Sequence, residues 1–159
     1  MRITIVCAGK LKESYLKQGV AEYLKRLTPF AQVDIREIHE EKMPENPSAA
    51  EKKQVLAREG ERLLKQVPQG SYLFVLDVYG EELSSEKLAA KIDRLMTSGE
   101  SHLTFLIGGA FGLSEAIRAA ANFRLSFSQL TFTHQMVRLL LVEQIYRCFK
   151  INRGEKYHW

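Results

Sequence analysis

Leu103-Thr-Phe-Leu-Ile-Gly-Gly-Ala-Phe-Gly112, with Leu125-Ser-Phe-Ser-Gln-Leu-Thr-Phe132 a short way downstream, carries the clearest architectural signal in the chain. In the first segment a continuous apolar run enters a Gly-rich turn. Such a run suits a strand buried on both faces of a parallel sheet. Glycines after a strand leave no Cβ in the way of a ligand that approaches the main chain. The second segment adds an apolar and hydroxyl-bearing loop behind one short helix. Two such loops in succession predict a small-molecule pocket built from main chain and placed late in the sequence.

Working outward, strand and helix patterns alternate over the whole length. Strands are expected at Ile3–Cys7, Val33–Ile38, Tyr72–Asp77, Leu103–Ile107 and Phe123–Phe127. Helical spacing runs from Glu13 to Leu27, from the capping-box spacing Ser48–Glu51 to about Val67, and from Ser84-Ser85 to Met96. Further helices are expected over Ser114–Ala121 and from His134 to about Phe149, the latter capped by Thr133. Glu40–Pro47 reads as a loop and Tyr79-Gly80 as a turn. The alternation predicts an α/β fold with a mainly parallel sheet and helices on both faces. In open sheets of this kind ligands bind beyond the carboxyl ends of the strands, where Leu76 and Gly108 fall. No repeat, low-complexity tract or dividing linker occurs, so residues 1–159 are read as a single domain.

The chain has 159 residues, 45% of them hydrophobic, enough for a substantial core. A net charge of +4 permits a polyanionic partner without demanding one. Lys52, Lys53, Arg58, Arg62 and Lys65 share the exposed face expected for the second helix. Cys7 and Cys148 have no metal-ligand spacing and read as buried reduced thiols. The opening Met1–Gly9 is strand-like rather than a signal peptide, and the longest apolar run, Val137 to Val142, is interrupted by Arg138. No membrane span, no metal site and a cytoplasmic location are therefore expected.

Several chemistries are excluded by pattern. The first strand is followed only by Ala8-Gly9-Lys10-Leu11, which is no dinucleotide fingerprint, and a Walker A sequence is absent. No serine sits in a nucleophile elbow. Asp77, at a strand end, is a candidate to hold a ligand hydroxyl or to cap the next turn. His134 and Arg138 are i,i+4 neighbours on one face of the last helix, either as a surface pair or as polar groups facing the pocket. That helix is apolar nearly all round, which requires burial in a core or a subunit interface. Over residues 145–159, Arg147, Lys150, Arg153 and Lys156 interleave with Tyr146, Phe149, Tyr157 and Trp159. Basic groups can track phosphates while aromatic faces stack on unpaired bases, the usual mode for loop RNA.

The order and spacing of these motifs resemble a known family, the ribosomal RNA large subunit methyltransferases H, compact members of the SPOUT (trefoil-knot) methyltransferases. The resemblance rests on Ile3-Thr-Ile-Val-Cys-Ala-Gly-Lys-Leu-Lys12, Glu22-Tyr-Leu-Lys-Arg26, Leu106-Ile-Gly-Gly109 and Leu125–Phe132. It continues through His134-Gln-Met-Val-Arg-Leu139, Glu143-Gln-Ile-Tyr-Arg147 and Arg153-Gly-Glu-Lys-Tyr-His158. It covers essentially the whole chain. It implies a C-terminal trefoil knot, a rare exception to the rule against threading. It also implies S-adenosyl-L-methionine as cofactor, N3-methylation of a pseudouridine in a 23S rRNA hairpin loop within the ribosome, and a homodimer. The cofactor positions it implies are Leu76, Gly108 and Phe127, Ser128, Gln129, Leu130, Thr131 and Phe132. The catalytic candidates are His134, Arg138, Tyr157 and His158, with Arg153 as a substrate-binding residue.

Overall fold

Along the chain, β1 (Arg2–Ala8), α1 (Ser14–Leu27), β2 (Gln32–Ile38), α2 (Ala49–Leu64) and β3 (Tyr72–Glu82) come first. They are followed by α3 (Ser85–Thr97), β4 (His102–Ile107), α4 (Glu115–Ala120), β5 (Phe123–Ser126) and α5 (His134–Asn152). The computed structural model describes residues 1–157. The strands form one sheet in the order β2-β1-β4-β3-β5, and every pairing in it is parallel.

Side chains of β1 divide alternately between the two faces, as the period of a strand requires. Ile3, Ile5 and Cys7 join a large core with Val20 and Leu27 of α1, Leu88 and Ile92 of α3, and Leu141, Val142 and Ile145 of α5. Val6 and Ala8 face a smaller core with Leu63 of α2 and Ile117 of α4. Three helices thus cover one face and two the other. The central strands β1 and β4 are covered on both faces, which is why they read as continuous apolar runs.

Helix starts follow the cap signals. Ser48 Oγ accepts from Glu51 N–H at 3.1 Å while the Glu51 carboxylate accepts from Ser48 N–H at 3.4 Å, a complete capping box. Ser84, Ser114 and Thr133 each accept one N–H three residues on, without the reciprocal bond, while α1 starts after Glu13 with no side-chain cap. Two ends differ from the sequence expectation. α2 closes at Leu64, after which Gln66 and Val67 N–H bond the carbonyls three residues back in a tightened last turn. α5 runs past Phe149 to Asn152 and stops where Gly154 takes φ +64° and its N–H reaches Ile151 O at 2.9 Å. Lys150 therefore belongs to the helix and not to a tail. Between His134 and Ile151 no residue of α5 is exposed, so its all-round apolar character is already met by packing within one chain.

The third correction concerns Tyr79-Gly80, which does not reverse the chain. β3 continues to Glu82, and Leu125 of β5 pairs first with Leu76 and again with Glu81. The intervening residues bulge out of the ladder. Asp77 stabilises that excursion: its carboxylate accepts from Tyr79 N–H at 3.1 Å, Arg118 Nε at 3.0 Å and Arg124 Nη1 at 3.3 Å. Asp77 thus caps this turn, one of the two roles open to it. Gly80 is required there, since a Cβ would stand 2.6 Å from the Arg124 carbonyl.

Candidate functional site

The carboxyl ends of β3, β4 and β5 open onto a cleft of about 1080 Å³. One wall is Leu76 with the bulged residues 77–79; the next is Ile107 and the Gly108–Leu113 turn; the third is Leu125 and the loop into α5. Leu76, Gly108, Phe127, Ser128, Leu130, Thr131 and Phe132 all line this one space, although they come from three strand ends. Gln129 alone of the expected cofactor positions does not; it is exposed. A smaller groove of about 550 Å³ lies between α2 and α4, and none of the expected site residues reaches it.

Exposed apolar surface is concentrated at the cleft. Tyr15, Val78, Tyr79, Phe111, Leu130 and Phe132 are exposed large hydrophobic residues, and all six line it. Leu130 keeps 72% of its surface open to solvent. A side chain of that kind costs free energy in water, so a cluster of six marks a surface that something apolar covers.

The glycines work differently from the sequence expectation. A Cβ on Gly108 would meet Leu113 Cδ2 at 2.6 Å and the Gly112 carbonyl at 3.1 Å, and one on Gly109 would meet Glu59 Oε1 at 2.7 Å. Close packing of the turn on its own neighbours, rather than ligand approach alone, excludes a side chain at both positions. Glu59, on α2, was not singled out by sequence reading. It is 6% exposed, accepts from Gly109 N–H at 3.2 Å and from Glu41 N–H at 3.3 Å, and burial raises its pKa. A signal did exist: Glu59 falls at helical spacing between the buried Val55 and Leu63, where an acid has no business unless it is bonded.

The four catalytic candidates separate. His134 lines the cleft, its Nε2 2.9 Å from Glu40 Oε1. Arg138 does not line it: it is fully buried, with Nη1 on the Glu37 carboxylate at 2.5 Å and Nη2 on the Gly9 carbonyl at 2.8 Å. Tyr157 folds onto the α1–α5 face. Its hydroxyl donates to Glu143 Oε1 at 3.0 Å and shares a 3.1 Å hydrogen bond with Tyr23, and its ring meets Tyr146 edge-on at 4.9 Å. Burial, then those two hydrogen bonds, push the Tyr157 phenol well above its usual value. Arg153 lies with its guanidinium 4.3 Å over the Phe30 ring. His158 lies outside the described residues. Within one chain, Arg153 and Tyr157 therefore stand apart from the cleft.

Among the described residues no group of acids, histidines and cysteines is placed to hold a metal ion, and no helix is long and apolar enough to cross a membrane. Cys7 and Cys148 are buried, and burial pushes both thiols up to about 12.

A parallel sheet with a main-chain-lined cleft beyond three strand ends fits a nucleoside-handling enzyme. The chain belongs to the SPOUT methyltransferase family: the family model described as "Predicted SPOUT methyltransferase" matches residues 1–158. It is 54% identical over 158 residues to ribosomal RNA large subunit methyltransferase H of Listeria monocytogenes, covering 99% of both chains. It is 51% identical over 158 residues to the protein of the same name from Halothermothrix orenii, again over 99% of both. The family read from the sequence motifs is thus the one these relatives carry in their names. A solved structure of a probable methylase family protein from Haemophilus influenzae shares the fold, with a TM-score of 0.50 at 10% identity, over 99% of this chain and 70% of that one.

Proposed function

We propose that this chain methylates ribosomal RNA of the large subunit with S-adenosyl-L-methionine as donor, at N3 of a pseudouridine in a 23S rRNA hairpin loop on the assembled cytoplasmic ribosome. The observation that carries the reading is the convergence of Leu76, Gly108 and all but one of residues 127–132 on a single cleft. The names of the relatives support the rRNA substrate.

The residues present suit such a donor. Leu76, Ile107, Leu130 and Phe132 offer apolar walls for an adenine ring, and two of them stand exposed. In this reading main-chain groups of the 127–132 loop read its edge. Bound there, the cofactor supplies an electrophilic methyl group on a sulfonium. The protein's share of the catalysis is to align the accepting nitrogen and to exclude water. As the N3–methyl bond forms, the N3 proton must leave. Of the three described histidines His134 alone lines the cleft, and it or solvent is the proposed acceptor within one chain.

The homodimer belongs to the same proposal. Tyr157 is hydrogen-bonded on the α1–α5 face, away from its own cleft, and a two-fold partner would bring a second tail to that cleft. The trefoil threading implied by the family belongs to it too, supported by the return of α5 from the β5 edge to pack against α1 and α3. Radiolabelled methyl transfer to assembled ribosomes, with and without pseudouridine in the loop, tests the function. Incorporation that requires both the ribosome and the pseudouridine is expected; incorporation into bulk tRNA instead would overturn the substrate assignment.

A further inference from the structure

Residues 37–41, where β2 leaves the sheet, touch two walls of the cleft at once. On one side Glu41 N–H bonds Glu59, whose other carboxylate oxygen takes Gly109 N–H from the Gly-rich wall. Arg62 fastens the Glu41 side chain to α2 at 2.9 Å. On the other side Glu40 faces His134 and Glu37 holds Arg138, one turn apart on α5 directly behind the 127–133 loop. Glu40 also packs on Gly9, where a Cβ would stand 3.0 Å from its carboxyl carbon.

We propose that Glu59 is the positioning residue of the cofactor cleft: its carboxylate joins the Gly109 wall to the 37–41 strap, and Glu37 of the strap ties Arg138 in the first turns of α5, so the spacing between the walls is built in before a ligand arrives. The proposal rests on the methyl-donor reading above. No side chain can replace this carboxylate by half. Gln offers one acceptor oxygen to two amides and turns an N–H₂ group toward the other. Asp keeps the charge and both acceptors but withdraws them by one methylene.

A purely structural role is separable from this one. Burial raises the pKa of Glu59, opposed by the two amide bonds, with Glu40 and Glu41 adding to the rise. For a raised folded-state pKa, the contribution to stability is full at low pH and is lost as pH rises through that value. Glu59→Gln removes the carboxylate charge but turns an N–H₂ group onto one amide, so exchange at Gly109 and Glu41 relative to the β1 and β4 core amides, and not the unfolding midpoint, reads the loosening of the wall.

The experiment measures amide hydrogen exchange of the cofactor-free protein and calorimetric titration with S-adenosylmethionine for wild type, Glu59→Gln and Glu59→Asp. Expected in both variants are exchange at Gly109 and Glu41 that speeds up more than at the β1 and β4 core amides, and affinity weakened about tenfold or more. Unchanged protection at both amides, affinity within about twofold, or rescue by Asp would overturn the positioning role. If wild type binds no S-adenosylmethionine, the methyl-donor reading falls, while the exchange data still judge the strap.

Discussion

The pair Arg138–Glu37 gives the sharpest energetic test, because its two partners are buried so unequally. Arg138 is fully buried, whereas the Glu37 side chain keeps 30% of its surface. Glu37→Ala leaves a buried guanidinium with only the Gly9 carbonyl at 2.8 Å for company. Stranding a buried charge in this way costs about 3–5 kcal/mol. Arg138→Met keeps an apolar stem in the core and frees Glu37 to turn toward water, so the main loss is the orphaned Gly9 carbonyl, about 1–3 kcal/mol. The less exposed partner is thus the cheaper one to remove. The double variant Glu37→Ala/Arg138→Met is expected to recover part of the Glu37→Ala loss. Urea unfolding at one fixed protein concentration reads all three, with Glu37→Ala also lowering the thermal midpoint by roughly 6–20 °C. If Arg138→Met is the more damaging of the two, or if each costs less than about 0.5 kcal/mol, the clamp is not what the geometry says it is.

Other consequences follow from single contacts. Gly60→Ala places a Cβ 2.3 Å from Ser114 Oγ, and the forced separation of α2 from α4 should outweigh the gain of about 1 kcal/mol in helix propensity, lowering the thermal midpoint. With both thiols at about 12, Cys7 and Cys148 should resist a disulfide reagent at pH 8 in the native protein and react fully in urea; fast native reaction would contradict their burial. In the proposed two-fold arrangement Tyr157 serves the partner's cleft and not its own, so Tyr157→Ala should lower methyl transfer on the order of tenfold or more while cofactor affinity stays within about twofold. Equal loss of both would place Tyr157 in the cofactor site.

The sheet was legible because burial on both faces writes itself into a strand as an unbroken apolar run, as in Leu103–Ile107. Helix starts were legible too, since a cap is a local contact: Ser48 needs only Glu51. What escaped was whatever depends on distant partners. Tyr79-Gly80 looks like a turn, and only the second pairing of Leu125 with Glu81 makes it an excursion within β3. Glu59 reads as one more charge on a basic helix until the amide of Gly109, fifty residues on, arrives at its carboxylate. Arg138 and His134 share a helix face in sequence, yet one reaches the core and the other the cleft. Burial of a long cationic side chain is decided by an acceptor, here Glu37 more than a hundred residues earlier, that no local window contains.

The central claim is that the three strand-end walls grip one sulfonium-bearing nucleoside. Amide exchange of the protein, saturated with S-adenosylmethionine and compared with the free form, tests it most directly. Protection is expected to rise over residues 76–80, 108–113 and 127–132 together. Saturable binding that instead protects the α1–α5 face, or that leaves any one of the three walls unchanged, would contradict it.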